Sequence, residues 1–403
     1  MSGSAAGVYV HIPFCAHRCD YCDFAVTTGA DPAARRRYVT ALHAELERVA
    51  GSGPGVLAPP DRAVIDQWPQ FSSIFVGGGT PTLLDPEDLA GVLRHIRVAL
   101  PVAAGAEVTV EANPETVDSG GLRVLVDAGL TRLSLGAQSF SPSVLATLGR
   151  LHDRDRVRTA VTAAQQAGVT QISLDLIYGT PGETDEHWRD TLRQTVDLGV
   201  GHVSCYALTV EINTPFAARV RRGELADVDD DVQAERMTIA DEVLAGAGLQ
   251  RYEVSNWARP DQESVHNQTY WRGGDWLGLG AAAHGHWQGR RWWNVRPTDR
   301  YVAEVEAARP PLGGQEILTA DQRRAERLLT GLRTVEGVPR SEVEPLDTAA
   351  LQALVAGGLL AEDRDRVRAT TRGLAVADGL TKRLAVAERL TPASRRGRRP
   401  GRP

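Results

Sequence analysis

Cysteine is scarce in this 403-residue chain, with only four present. So small a number excludes the disulfide framework that staples small secreted domains, and it fits a reducing compartment. Neither sign of charge is in large excess. The formal net charge of −6 leaves no global basic field to gather nucleic acid, so no nucleic-acid partner is expected. Long apolar runs are also missing: no uncharged apolar run approaches the roughly 18 residues a bilayer-spanning helix needs. The opening MSGSAAGVYV lacks a basic segment followed by an apolar one, so it does not read as a secretory signal. The expected location is the cytoplasm. What remains is an ordinary globular composition, 42% hydrophobic and 24% charged, long enough for one large α/β domain and a smaller one.

The few cysteines are concentrated. Cys15, Cys19 and Cys22 fall within eight residues, in the C-x3-C-x2-C run between His11 and Phe24. Three soft thiolates on one short loop suit three irons of a four-iron, four-sulfur cluster, and the fourth iron is left open to a small chelating molecule. An odd number of clustered thiols argues against a disulfide. Zinc is the alternative, with His11 or His17 as fourth ligand.

Up to about residue 256, short β-branched runs alternate with longer amphipathic segments. Strands are predicted at 8–11, 73–76, 107–111, 132–135, 171–177 and 202–208, and helices at 32–50, 86–100, 119–128, 154–167 and 185–198. Asp85 followed by Pro86, Glu87 and Asp88 is a helix-start signal. The alternation predicts parallel strands with helical crossovers in an α/β fold: a partial, open (β/α)6 TIM-like barrel over residues 1–256, with a doubly wound sheet as alternative. Residues 257–314, rich in tryptophan and poor in helix signals, read as a connecting region. Residues 315–388 read as helix (319–332), helix (348–356), hairpin (359–369) and helix (380–388), a small winged-helix-like α+β domain without a basic base-reading helix. Residues 389–403, with six arginines, read as a disordered tail; weak contact with an anionic membrane or RNA is its minor reading.

The polar motifs follow the predicted strands, where parallel α/β barrels build their sites. The cysteine loop follows the first strand, Gly77-Gly-Gly-Thr-Pro81 the second, Glu111-Ala-Asn-Pro114 the third and Gln138-Ser139 the fourth. Asp175 ends the fifth, and Ser204-Cys-Tyr-Ala-Leu208 the sixth. Consecutive glycines let backbone approach a ligand closely and offer carbonyls to an ammonium. Glu111 and Asp175 suit an amine or ribose hydroxyls, and Arg150 suits a ligand carboxylate.

With an aromatic residue, Tyr21, before the third cysteine, this motif resembles that of the radical S-adenosylmethionine superfamily. The longer pattern is similar to the oxygen-independent coproporphyrinogen III oxidases and their paralogues, the HemW-type haem chaperones. It includes Tyr9-Val-His-Ile-Pro-Phe-Cys15, Tyr252-Glu-Val-Ser-Asn256 and the strand-end motifs above, and it covers roughly residues 8–385. The resemblance implies that Cys15, Cys19 and Cys22 hold a 4Fe-4S cluster whose fourth iron is chelated by S-adenosylmethionine. Carried over by motif, Tyr9, Tyr21, Gly78, Gly79, Thr80, Glu111, Gln138, Arg150 and Asp175 would contact that ligand. An electron donor for the cluster is implied as a partner.

Two departures separate the paralogues. The oxidases resemble C-x3-C-x2-C-x-C, and here the last position is Phe24; they also carry a longer segment before the cluster, where here fourteen residues precede Cys15. Both favour the chaperone branch over coproporphyrinogen decarboxylation. His266-Asn-Gln-Thr-Tyr-Trp271 matches the H-N-x-x-Y-W motif of that branch, which implies His266 as a haem ligand, with His284 and His286 as competitors. The expected function is therefore transient haem binding and delivery to haem-accepting proteins. The alternatives are the radical oxidative decarboxylase and a zinc-stabilised binding module.

Overall fold

The computed structural model describes residues 6–60, 67–363 and 365–385. Two compact units emerge: residues 6–270 with 274–317, and residues 271–273 with 318–385.

In the large unit the six expected strands appear in chain order. They are β1 (Ala6–Ile12), β2 (Phe71–Gly78), β3 (Val102–Ala112), β4 (Arg132–Gln138), β5 (Gln171–Tyr178) and β6 (His202–Ala207). Each pairs in parallel with the next. The crossovers are α1 (Pro32–Ser52), α2 (Pro86–Ala99), α3 (Ser119–Asp127), α4 (Arg154–Ala167) and α5 (Asp185–Asp197). Their starts are specified locally. Asp31, Asp85, Asp118 and Asp153 each accept a backbone N–H of the first turn, and Thr184 and His187 form a reciprocal capping box.

Because consecutive strands are spatial neighbours throughout, the winding is that of a barrel and not of a doubly wound sheet, whose strand order reverses at a switch point. The barrel stays open. β7 (Gln250–Arg251) and β8 (Asn256–Ala258) form a hairpin that pairs antiparallel with β6 through β8. On the other side, β9 (Asp275–Leu279) runs parallel to β1. It is followed by an antiparallel extension of β10 (His284–Trp287), β11 (Arg290–Asn294) and β12 (Leu312–Ile317). The stretch read as a connecting region thus supplies five of the twelve strands in the sheet, β8 to β12.

The two faces of the parallel sheet differ in chemistry. Val8, Val10 and Ile12 of β1, Ile74 and Val76 of β2, and Leu133 and Leu135 of β4 pack with Leu42, Leu46, Leu93 and Ile96 from the helices. Alternate positions point the other way and carry polar or small residues that touch one another. Ser134 donates to Asp175, Ser173 meets His202 at 2.6 Å, and Arg132 pairs with Glu107 at 3.0 Å. A polar concave interior flanked by an apolar shell is what a half-barrel needs to accept a charged ligand.

The second unit has helices Ala320–Gly331, Arg340–Val343 and Thr348–Ala356. Its three-stranded sheet places Arg366–Ala369 between Val338–Pro339 and Leu360–Asp363. Leu328, Leu351, Leu354, Val367 and Leu380 share its core. This is the expected winged-helix-like arrangement. Its last helix starts earlier than expected, at Ala377, and runs to Leu384. The basic tail lies outside the described residues. Among the described residues no helix is long and apolar enough to cross a membrane.

Candidate functional site

The loop after β1 is closed at its base before it presents any thiol. Phe14 and Cys15 pair in parallel with Thr27 and Thr28, and the Thr27 N–H donates to Pro13 O at 2.6 Å. Within the loop the Cys22 N–H donates to Cys19 O at 3.1 Å, and Arg18 donates twice to Cys22 O. The three clustered cysteines are unpaired and partly exposed, whereas Cys205 is buried in the core.

The loop after β2 fits beneath. The Gly79 and Thr80 N–H groups donate to Ile12 O and Phe14 O at 2.8 and 2.7 Å. Gly78 sits at φ +110°, and a Cβ there would stand 2.3 Å from the His11 ring. A Cβ on Gly79 would stand 2.6 Å from Phe14 O and 2.8 Å from Ile12 O, both backbone atoms that cannot swing away. Gly79→Ala is therefore expected to push the cysteine loop off its seat and cut iron incorporation at least about tenfold, measured as iron per chain after anaerobic reconstitution; wild-type iron content in the variant would refute this.

A cavity of about 500 Å³ opens over these loops. All three clustered thiols line it, as do Tyr21, Gly78, Gly79, Thr80, Glu111, Gln138, Arg150 and Asp175. Residues from six strand ends scattered over the sequence thus converge on one space. Tyr9 does not line it; its hydroxyl lies 3.0 Å from His11 Nδ1, whose other nitrogen lies 3.0 Å from Ala25 O. Both ring nitrogens of His11 are therefore engaged, while His17 is exposed on the cavity rim.

Donors aimed at sulfur mark the cavity as a thiolate site. Arg150 Nη1 donates to Cys19 Sγ at 3.1 Å, and Thr80 Oγ1 donates to Cys15 Sγ at 3.6 Å. Burial works against the Arg150 charge, but Tyr21, Cys19 and Glu115 more than offset it and raise its pKa. Burial raises the Cys15 and Cys22 thiols, so ligation to iron is what would hold them ionised. Three soft thiolates from one loop, all lining the same cavity, suit an iron–sulfur cluster that takes one thiolate per iron.

The same cavity is lined by carboxylates, Glu111 and Asp175. Glu111 Oε2 accepts the Gly78 N–H at 2.8 Å. Burial pushes the Glu111 pKa up to about 7, the Gly78 hydrogen bond opposes that, and Asp175 adds to it. Burial also raises Asp175, against the hydroxyls of Ser204 and Ser134. Gln138 adopts a left-handed φ of 62° at the end of β4, a conformation costly for a non-glycine residue and typical of functional sites. Sequence reasoning gave no role to Asn113, which joins the two halves of the site. Its amide donates to Thr80 Oγ1 at 3.0 Å, and its carbonyl oxygen accepts from Arg150 Nη2 at 2.7 Å. Its place beside Glu111 after a strand was the only available signal. Phe24 lines the mouth and is 64% exposed.

His266 lies elsewhere. It opens α7 (Val265–Trp271, numbered after α6, Asp230–Gly246), whose first turn plugs the barrel at the strand starts. Its ring is fully buried, 2.8 Å from Ser73 Oγ through Nδ1 and 2.7 Å from the Tyr270 hydroxyl through Nε2, and stacked on Phe75. Burial lowers its pKa to about 3, so it is neutral, but both nitrogens are already engaged. A Cβ on Gly7, at the start of β1, would meet this ring at 2.9 Å. The cysteine loop leaves the other end of the same strand.

The family model for the radical SAM superfamily matches residues 9–195, and that for the HemN C-terminal domain matches residues 318–376. The chain is 43% identical to a protein of Mycobacterium tuberculosis (strain ATCC 25618 / H37Rv) named heme chaperone HemW, covering 95% of this chain and 96% of that one. It is 33% identical to the protein of that name from Bacillus subtilis (strain 168), covering 91% and 95%. With the one from Escherichia coli (strain K12) it shares 32% identity, covering 91% and 94%. The fold is similar to that of the solved coproporphyrinogen III oxidase HemN from Escherichia coli, with a TM-score of 0.79 at 22% identity over 94% of this chain and 90% of that one.

Proposed function

Because this chain belongs to the radical SAM superfamily, in its HemW-type branch, we propose that it is a haem chaperone that binds haem and hands it to haem-accepting proteins. One observation carries the reading: similarity to proteins named heme chaperone runs along 95% of the chain. Phe24 at the cavity mouth, where an oxidase would carry a further cysteine, points the same way.

In this reading Cys15, Cys19 and Cys22 hold the cluster, and S-adenosylmethionine occupies the cavity against Gly78, Gly79, Glu111 and Asp175. When bound, the cluster supplies an electron source and an open iron for chelation. The residues of the chain do the rest. Arg150 and Thr80 donate to the sulfurs, which tunes the cluster's potential. Glu111 and Asp175 accept from the amine or ribose of the ligand.

Anaerobic incubation with haem and with coproporphyrinogen III in parallel tests the reading. The expected outcome is bound haem that passes to an apo-haem protein, with no porphyrinogen product. Sustained conversion of coproporphyrinogen III would replace the chaperone by the oxidase.

The carboxylate at Glu111 gives the cavity a pH dependence. A carboxyl pushed up to about 7 contributes stability in its protonated form, fully present below the ordinary carboxylate range and lost as pH rises through 7. The negative charge that attracts the ligand's ammonium forms over the same interval. S-adenosylmethionine affinity is therefore expected to rise by up to about tenfold between pH 6 and 8, and Glu111→Gln to flatten that rise. Equilibrium binding across the range reads both; a pH profile unchanged in the variant would count against Glu111.

A further inference from the structure

The antiparallel extension beside β1 presents an unusual face. Cross-strand register pairs Trp276 with His286, His284 with Trp293 and His286 with Arg291. The two-residue period of a strand puts these five side chains on one side, while Leu277, Leu279, Trp287 and Trp292 enter the core on the other. Two histidine–tryptophan stacks result: His286 on Trp276 at 5.1 Å between ring centres, and His284 on Trp293 at 5.8 Å. Trp293 also lies against the backbone of Gly314 in β12, where a Cβ would stand 2.4 Å from its ring.

The two histidines differ in what they have left to give. His286 Nδ1 is held 3.0 Å from Asp275 Oδ1 and 3.2 Å from Gly274 O. His284 is exposed, and its ring has no hydrogen-bond partner among the described residues. Burial, then Arg291 and Arg296, lower its pKa, which keeps the imidazole neutral and places two cations near it. Arg291 is bonded to Glu316. Arg296 is exposed and donates to Asp23 O at 3.0 Å, which ties this face to the cysteine loop beside Phe24. A neutral imidazole on a stacked indole, with a guanidinium to one side, matches a flat apolar ring that carries an iron at its centre and carboxylates at its edge.

We propose that His284, and not the buried His266, supplies the axial ligand to haem iron, with the Trp276 and Trp293 face supporting the porphyrin and Arg296 taking a propionate. This rests on the haem-carrier reading above and specifies its site. Arg296 carries this face to the cysteine loop, while Trp276, in register with Gly7 and edge-to-face with Tyr270, carries it back to the strand starts where His266 is buried.

The test is titration of the cluster-loaded, full-length protein with iron(III) protoporphyrin IX, read by difference absorbance and electron paramagnetic resonance. Metal-free protoporphyrin IX is titrated in parallel. His284→Ala is expected to weaken iron-porphyrin binding at least about tenfold and to abolish the histidine-ligated signature, while metal-free porphyrin binds as before. Arg296→Glu is expected to weaken both porphyrins, and His266→Ala to leave the ligated signature in place. Retained cluster absorbance shows that each variant is folded. If the parent binds iron porphyrin and His284→Ala matches it in spectrum and affinity, this assignment is overturned and the carrier reading stands. If the parent binds none, the carrier reading fails, and this one with it.

Discussion

Replacing Cys19 with alanine is expected to reduce iron in the anaerobically reconstituted protein from about four per chain to near zero, and to abolish S-adenosylmethionine binding with it. The loop offers three partly exposed thiols and no fourth, so a lost thiolate has no substitute. His11 is committed to Tyr9 and Ala25, and His17 stands on the rim. Arg150 would be left with its Nη1 aimed at a missing sulfur. The matched control is Cys205→Ala. That residue is buried in the core of the large unit, where its thiol is pushed well up by burial, so removing it should leave iron and sulfide unchanged. Iron and acid-labile sulfide assays on the two variants decide the matter. Wild-type iron in Cys19→Ala, or zinc in unit stoichiometry in the parent, would end the cluster assignment.

The second large effect is expected far from the cluster. Glu107→Ala should destabilise the large unit by about 3–5 kcal/mol, the usual cost of stranding one member of a buried ion pair. Glu107 and Arg132 are both almost fully buried and 3.0 Å apart. Glu107 also accepts from the Val265 and His266 N–H groups at 3.1 and 3.0 Å, so it caps α7 from across the barrel. Arg132 in turn donates to Gln262 O and Glu263 O at 2.9 and 3.1 Å. Removing the carboxylate leaves a buried guanidinium and two helix N–H groups unsatisfied at once. A lowered urea midpoint, with faster hydrogen exchange at 262–270, is the expected reading. Glu107→Gln, which keeps an acceptor, should cost less. An unfolding free energy within about 0.5 kcal/mol of the parent would show that the pair carries no stability.

The parallel strands and their helices were legible because their signals are local. Val8, Val10 and Ile12 alternate with Tyr9 and His11 within one short run, and Asp85-Pro86 marks a helix start without help from the rest of the chain. The convergence of the strand-end motifs was legible too, since parallel winding places every strand's C-terminus at the same end. β9 was not. Asp275–Leu279 is five residues with a glycine at the fourth, and it becomes a strand by pairing with β1, some 270 positions earlier in the chain. The surroundings of His266 were equally hidden, because the hydroxyl that meets its Nδ1 belongs to Ser73, 193 residues away.

By itself the sequence determined the thiol spacing, the glycines where backbone must approach backbone, the helix caps and the order of strands, all set by neighbours within a few positions. Tertiary structure alone decided which polar side chains satisfy one another inside the barrel. That choice gave Arg150 to Cys19, Asn113 to both Thr80 and Arg150, and Ser73 to His266, while leaving the imidazole of His284 facing solvent. The physical reason is that a buried polar group must find a partner wherever the fold brings one, and sequence distance carries no information about where that is.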